Sequence, residues 1–354
     1  MASLILEDGT RFAGQLFGAE CAAAGEVVFA TDMLGYQLLL TDPVYRGKIV
    51  CMTYPLIGNV GICEEDMASP AVQVAGLVVQ TLCDHPSNWL CKQDLASFLA
   101  EQGIPALQGV DTRALARHLR ATGVQRGFLC AQEPATEPAP IREPSAEPDW
   151  VAQTTCAAPY TVGEDGLRVA LLDLGADRAL ARALAARACR VTVYPAHTPA
   201  DALLADGCQA AVFSGGPGDP HAQRALLPAI AAVMEAVPTL GIGLGYELMI
   251  LAQGGKVLRL PYGHHGNQPV REVETGLCDQ TAQRHLYAAD PDALPAGARA
   301  TYLNVNDGTI AGLTFAQADA SGVQFHPAAE PGPRGTGRIL DAFVRQARAR
   351  RAAE

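Results

Sequence analysis

From Leu167 onward the chain alternates short apolar runs with helix-forming stretches, and that rhythm admits few architectures. Val169–Leu174, Arg190–Tyr194, Ala210–Phe213 and Thr239–Ile242 read as strands. Between them lie an alanine-rich helix from Asp177 to Ala188, a short helix from Pro199 to Leu204 and a longer one from Ala222 to Val237. The pattern predicts a doubly wound parallel sheet with helices on both faces. In such sheets ligands sit at the carboxyl ends of the strands, and two glycine-rich turns, 215–218 and 241–245, fall at those ends.

The first half has a different texture. Ser3–Leu6 and Arg11–Phe17 flank Asp8-Gly9, a strong two-residue turn signal, and predict a hairpin. Further strands are expected at Glu26–Phe29, Ile49–Thr53 and Val74–Val79. A helix begins near Asp94, turns Leu95, Phe98 and Leu99 to one side and stops at Gly103; another runs from Asp111 to Gly123. The fold expected for this half is a mixed β/α domain over 1–131. From Gln132 to Asp149 the dipeptide Glu-Pro occurs four times, a proline density that resists both helix and sheet. It reads as a semi-extended connector, the alternative being an irregular packed loop. The domain boundaries expected are 1–131, a connector at 132–166, and 167–354.

Composition narrows the function classes. Of 354 residues, 49% are hydrophobic and 18% charged, which excludes a disordered chain. No run of apolar residues is long enough to span a membrane. The start turns acidic at Glu7 and lacks a basic region, so no signal peptide is read there, and the compartment expected is the cytoplasm. A net charge of −11 disfavours nucleic acid and anionic lipid as partners. Ten cysteines without a Cys-x-x-Cys pair suggest reduced, mostly buried thiols, with neither a disulfide framework nor a zinc site. Cys208 and Cys278 are expected to be buried thiols in place of substitute nucleophiles. His264 and His265 are adjacent in an extended segment, poor geometry for joint metal ligation, and no metal site is expected. Asp111 and Arg113 read as a helix cap and a surface or interface ion pair.

Gly241-Ile-Gly-Leu-Gly-Tyr-Glu247 has the form of a nucleophile elbow, a strained strand-to-helix turn that exposes its central residue. Alone, Gly-x-Gly-x-Gly is equally consistent with a nucleotide-binding loop or a tight packing turn. Its companions are Gly215-Gly-Pro-Gly-Asp-Pro220, Gly263-His-His-Gly-Asn-Gln-Pro-Val270 and Gln324-Phe-His-Pro327, and in the first half Gly35–Pro43, Thr53–Gly61 and Asp111-Thr-Arg113. Together these segments resemble the small-subunit family of carbamoyl-phosphate synthetase, a class I (triad) glutamine amidotransferase, over essentially the whole chain.

The resemblance implies a site in which a cysteine attacks the glutamine carboxamide, a histidine activates it and a carboxylate orients the histidine. The family's elbow reads Gly-Ile-Cys-Leu-Gly-His-Gln, and Gly243 stands where the cysteine belongs. The family's His-Pro-Glu becomes His326-Pro327-Ala328, which keeps the base and removes its acid, with Glu330 two residues on. In the remnant of the glutamine pocket Val44 replaces a serine, Glu247 a glutamine and Tyr246 a histidine, and Arg284-His285-Leu286-Tyr287 stands for Asn-His-Gly-Phe. Leu286 is expected to fill space that a glycine leaves for substrate. Gly216, Gly218 and Leu244 can still offer backbone N–H groups, or serve only as turn formers.

The expectation that follows is a small subunit, or a close paralogue, that has lost glutamine hydrolysis and serves an ammonia-using synthetase as a structural or regulatory chain. Its implied partner is the large synthetase subunit, which would carry ATP and Mg; the small chain itself would need no cofactor. Arginine and pyrimidine synthesis are the pathways implied. The alternative is a sensor module that binds a small anion or metabolite through the surviving amides and Arg284, against which the charge of Glu247 counts. A third possibility is a scaffold for an unrelated synthetase.

Overall fold

The computed structural model describes residues 2–33, 35–132, 148–316, 318–328 and 334–353. The chain divides into two compact units, one formed by residues 1–148 with 261–266 and the other by residues 149–260 with 267–354.

The first unit is built on a closed barrel. Its strands are β1 (Ala2–Leu6), β2 (Arg11–Gly18), β3 (Ala23–Ala30), β4 (Lys48–Met52), β6 (Gly76–Val78), β8 (Pro105–Gln108) and β9 (Gln125–Cys130), in the order β1-β2-β8-β6-β4-β3-β9. A small separate sheet pairs β5 (Leu56–Ile57) with β7 (Thr81–Leu82). The hairpin at Asp8-Gly9 forms as expected, with Gly9 at φ 84° and Ile5 opposite Arg11. The helices are α1 (Tyr36–Thr41), α2 (Leu95–Glu101) and α3 (Thr112–Thr122). Asp94 and Asp111 cap α2 and α3, their carboxylates accepting from Ser97 N and Ala114 N at 2.8 Å each. Leu115, Ala116 and Leu119 on the inner face of α3 pack with Leu4, Leu6, Val27, Ile49 and Leu107 of the barrel.

The second unit carries a ten-stranded sheet. Its strands are β10 (Tyr160–Val162), β11 (Leu167–Asp173), β12 (Cys189–Pro195), β13 (Ala210–Phe213), β14 (Thr239–Ile242), β15 (Val257–Glu272), β16 (Cys278–Ala289), β17 (Arg299–Asn304), β18 (Ile310–Phe315) and β19 (Ala320–Val323). They lie in the order β10-β12-β11-β13-β14-β19-β18-β17-β15-β16. The five from β12 to β19 run parallel, and β18 and β17 extend the sheet antiparallel. The helices are α4 (Trp150–Thr154), α5 (Arg178–Ala185), α6 (Ala200–Leu204), α7 (Leu227–Ala236), α8 (Leu244–Ala252) and α9 (Arg338–Ala353). Leu180 and Leu184 of α5 and Leu340, Phe343 and Val344 of α9 cover one face. Val151, Leu203, Ile230, Val233 and Leu248, from α4, α6, α7 and α8, cover the other. The sheet is doubly wound, as the alternation requires.

Four expectations need correction. The connector read over 132–166 overlaps folded chain, because α4 is capped by Asp149 and β10 pairs with β12 through Thr161 and Thr192. Most of the Glu-Pro segment, 133–147, lies outside the described residues. The helix read from Ala222 to Val237 is broken: Pro220–Leu226 is a 3₁₀ segment, with Gln223 non-helical, and only Leu227–Ala236 is α-helical. Pro228 at the second helical position explains where the α-helix starts. Residues 261–266, read as part of the second domain, group with the barrel unit, where Val124 N donates to Pro261 O at 2.7 Å. Finally, the thiols are not mostly buried: Cys51, Cys63, Cys130 and Cys189 are, whereas Cys278 and Cys21 are exposed.

Candidate active site

The elbow forms where β14 meets α8. Gly243 adopts φ 51° and ψ −116°, a conformation rare for residues with a side chain, and stands at the N-terminus of α8. Its N–H donates to Val323 O at 2.9 Å, and its carbonyl accepts from Glu247 N at 3.0 Å. The flanking glycines are sterically required. A Cβ at Gly245 would lie 2.3 Å from Phe213 O, and one at Gly241 would lie 2.4 Å from Met249 Sδ. Gly243 differs from both. A Cβ there would meet only Gly215 Cα at 3.6 Å and Gln324 O at 4.0 Å, ordinary contact distances. The turn therefore keeps room for a side chain at its apex and has none.

His326 follows β19, and its N–H donates to Ala282 O of β16 at 2.9 Å. Its ring lies against Gly215, where a Cβ would approach Cε1 to 3.1 Å. Thus Gly215 touches the imidazole on one side and the open apex on the other. A cavity of about 20 Å³, enough for one water, is lined by Gly215, Ile242, His326, Pro327 and Ala328 among others. Ala328 supplies no acid there, and Glu330 lies outside the described residues.

Leu244 is the first residue of α8, so its amide is one of the N–H groups without an intrahelical partner. Gly216 packs tightly: a Cβ would sit 2.1 Å from Leu174 O. Gly218 has φ 94°, which makes it a turn former in its own right.

Glu247 is buried in the first turn of α8, and burial pushes its carboxyl up to about 8 against the favourable hydrogen bond from Gln324 Nε2 to Oε1 at 2.7 Å. Asp219 nearby raises it further. The carboxyl is mostly protonated at neutral pH, which corrects the expectation that it sets a negative charge in the remnant pocket. Gln324 is the partner that sequence reasoning did not pair with Glu247, although it opens the Gln324-Phe-His-Pro327 segment. The hydroxyl of Tyr246 is fully buried and finds no hydrogen-bond partner among the described residues.

On β16, Arg284, His285 and Leu286 are buried. Arg284 interacts with its surroundings and is not a free residue. His285 bridges Tyr287 O at 2.7 Å and Gln283 Oε1 at 3.0 Å. Gln283 Nε2 donates to Thr281 Oγ1, whose hydroxyl donates to Gln268 O. The ring of Tyr287 meets His221 edge-on at 6.3 Å between centroids. Val44 belongs to the barrel unit, in a short 3₁₀ turn capped by Asp42.

Of the two cysteines weighed as substitute nucleophiles, Cys278 is exposed on β16, and the thiol of Cys208 is half-buried, with burial raising its pKa. Neither sits at the elbow. His264 and His265 are buried, the latter with its ring 5.6 Å from that of Tyr45. No group of three or more His, Cys, Asp or Glu able to hold a metal occurs among the described residues, and none of their helices is long and apolar enough to cross a membrane.

Comparison with known proteins agrees with this architecture. The family described as carbamoyl-phosphate synthase small chain, CPSase domain, matches residues 4–129, and glutamine amidotransferase class-I matches residues 170–346. The carbamoyl phosphate synthase small chain of Symbiobacterium thermophilum is 41% identical, with 96% of each chain covered. The pyrimidine-specific small chain of Halalkalibacterium halodurans is 42% identical, covering 97% of this chain and 96% of its own. The carbamoyl phosphate synthase small chain of Methanopyrus kandleri is 40% identical, covering 98% of this chain and 99% of its own. With both domain families matched in order and such identity along nearly its full length, the chain belongs to the carbamoyl phosphate synthase small chain family.

Proposed function

We propose that this chain is a carbamoyl phosphate synthase small subunit, or a close paralogue of one, that does not hydrolyse glutamine and instead serves a large subunit fed by free ammonia. The observation that carries the reading is Gly243: an elbow with its strained backbone, its helix N-terminus and room for a side chain, but no nucleophile. Removing such a nucleophile costs on the order of 10⁶ in turnover, roughly 8 kcal/mol of transition-state stabilisation. Ala328 beside His326, the buried Leu286 and the protonated Glu247 support it further, because each departs from what a glutamine site needs. A single change at the apex would leave those positions intact. The barrel unit, matched through residues 4–129, supports retention of a docking role toward the large subunit.

The reading of the remnant pocket as an anion sensor is the weaker one, since Arg284, the cation it invokes, is buried and not free of partners. The decisive experiment is to co-purify the chain with a large subunit and measure carbamoyl phosphate formation from glutamine and from ammonium. Ammonium is expected to support synthesis and glutamine is not. Glutamine-dependent synthesis with stoichiometric glutamate release, Gly243 being present, would overturn the proposal.

A further inference from the structure

The far end of the second unit's sheet carries a different cavity, of about 610 Å³, within the range of small-molecule sites. Arg168 and Arg190 line it from the second positions of β11 and β12, near the amino ends of the parallel strands. The elbow is at the carboxyl end of β14, so the two sites are distinct.

The strand register builds the cavity floor. Arg168 is paired with Arg190, Ala170 with Thr192 and Leu172 with Tyr194, while Thr161 of β10 is paired with Thr192 on its other side. The alternate residues, Val169, Leu171, Val191 and Val193, face the core beneath α5 and α9. On the cavity side the described residues place α6, five residues long and burying Leu203 alone, and the 3₁₀ turn Ala205–Gly207 that follows it. The floor is therefore left open.

Two arginines directly opposite one another on adjacent strands repel, so their pairing works against the sheet. Neither guanidinium forms an ion pair with an acid among the described residues, in a chain whose net charge is −11. The loop after α6 is shaped around one of them: a Cβ at Gly207 would lie 2.6 Å from Arg168 Nη2. Beside the cations, the hydroxyls of Thr161 and Thr192 stand 3.4 Å apart, and Tyr194 supplies an aromatic wall.

Two adjacent guanidiniums, paired hydroxyls and an aromatic wall fit a doubly charged oxyanion attached to an organic body. We propose that this cavity binds a small phosphate monoester, its phosphate between Arg168 and Arg190 and its organic part over Thr192 toward Tyr194. The site is independent of whether the elbow is active.

The test is calorimetric titration of the full chain with ribose 5-phosphate, ribose and inorganic phosphate, repeated on Arg168→Gln, Arg190→Gln and Thr192→Val. Ribose 5-phosphate is expected to bind tightest, and each arginine variant to weaken it by about tenfold or more, as losing a charged hydrogen bond does. Thr192→Val should weaken it less. Melting temperatures of the unliganded arginine variants should hold or rise, because like-charge repulsion is relieved. The proposal fails if ribose 5-phosphate gives no heat up to about 10 mM. It fails equally if inorganic phosphate binds as tightly, or if both arginine variants bind like the parent.

Discussion

Glu247 couples its protonation to folding. In the unfolded chain its carboxyl titrates near 4.5; in the fold, burial holds it up at about 8. At low pH both states are protonated. Between these values the unfolded chain loses its proton first, so stability falls as pH rises through that window and levels off above about 8. Glu247→Gln keeps the shape, leaves an amide to pair with Gln324, and removes the titration. Chemical denaturation is expected to show the variant gaining on the parent by a few kcal/mol, roughly, between pH 5 and pH 8.5. Equal differences at both pH values would refute the assignment. The identity of this residue was readable in the sequence, as were Gly243 and Ala328, because each is a departure from a motif. Its charge state was not. That depends on Gln324, 77 positions away, and on complete burial, neither of which is a local property.

At the level of elements, the parallel half of the second unit was legible because each strand is a short apolar run and the strands alternate with helix-forming stretches, the first of which is amphipathic with an aspartate at its start. Asp177 caps α5, accepting from Ala179 N at 2.8 Å, as Asp94 and Asp111 cap their own helices. The antiparallel extension was not legible. β15 runs for 16 residues through Gly263 and Gly266, which interrupt any alternating pattern, and it is defined by pairing with distant β17. The barrel closure was hidden for the same reason, since β1 finds β9 across more than a hundred residues. One element end carries strain that the sequence does not advertise. Ala188, between α5 and β12, has φ 53°, the only positive value at a non-glycine among the described residues. Its carbonyl accepts from Leu167 N at 3.1 Å, fixing the approach to β11. The side chain is exposed, so a glycine there loses no packing. Ala188→Gly should stabilise the protein by about 0.5–1 kcal/mol, the left-handed penalty of alanine less the added freedom of glycine when unfolded. Thermal melts would register this as a rise of roughly 1–4 °C; a fall would mean that the turn relaxes around alanine at no expense.

At the scale of the whole molecule, the division into two units does not follow the order of the chain. Residues 261–266 come from the middle of β15, yet they complete the barrel unit. There Val124 N donates to Pro261 O at 2.7 Å and Thr31 N to His265 O at 3.2 Å. Tyr262 packs on Phe29 with ring centroids 6.0 Å apart, and Arg120 lies over the same ring at 5.1 Å. Gly266 comes so close that a Cβ would stand 2.7 Å from Thr31 Oγ1. Cutting the chain at the Pro-rich stretch, which composition alone marks as the boundary, would therefore separate the barrel from part of itself. Two backbone hydrogen bonds at about 1 kcal/mol each and two aromatic contacts, Tyr262 on Phe29 and His265 on Tyr45, at about 0.5–1.5 kcal/mol each are lost, roughly 3–5 kcal/mol in all. A fragment ending at Pro148 is expected to melt on the order of 10 °C or more below the barrel transition of the intact chain. A peptide spanning 257–272, added in trans, should restore part of the loss. If the fragment melts with the intact chain and ignores the peptide, the barrel is self-sufficient and the return segment is only an accessory to it.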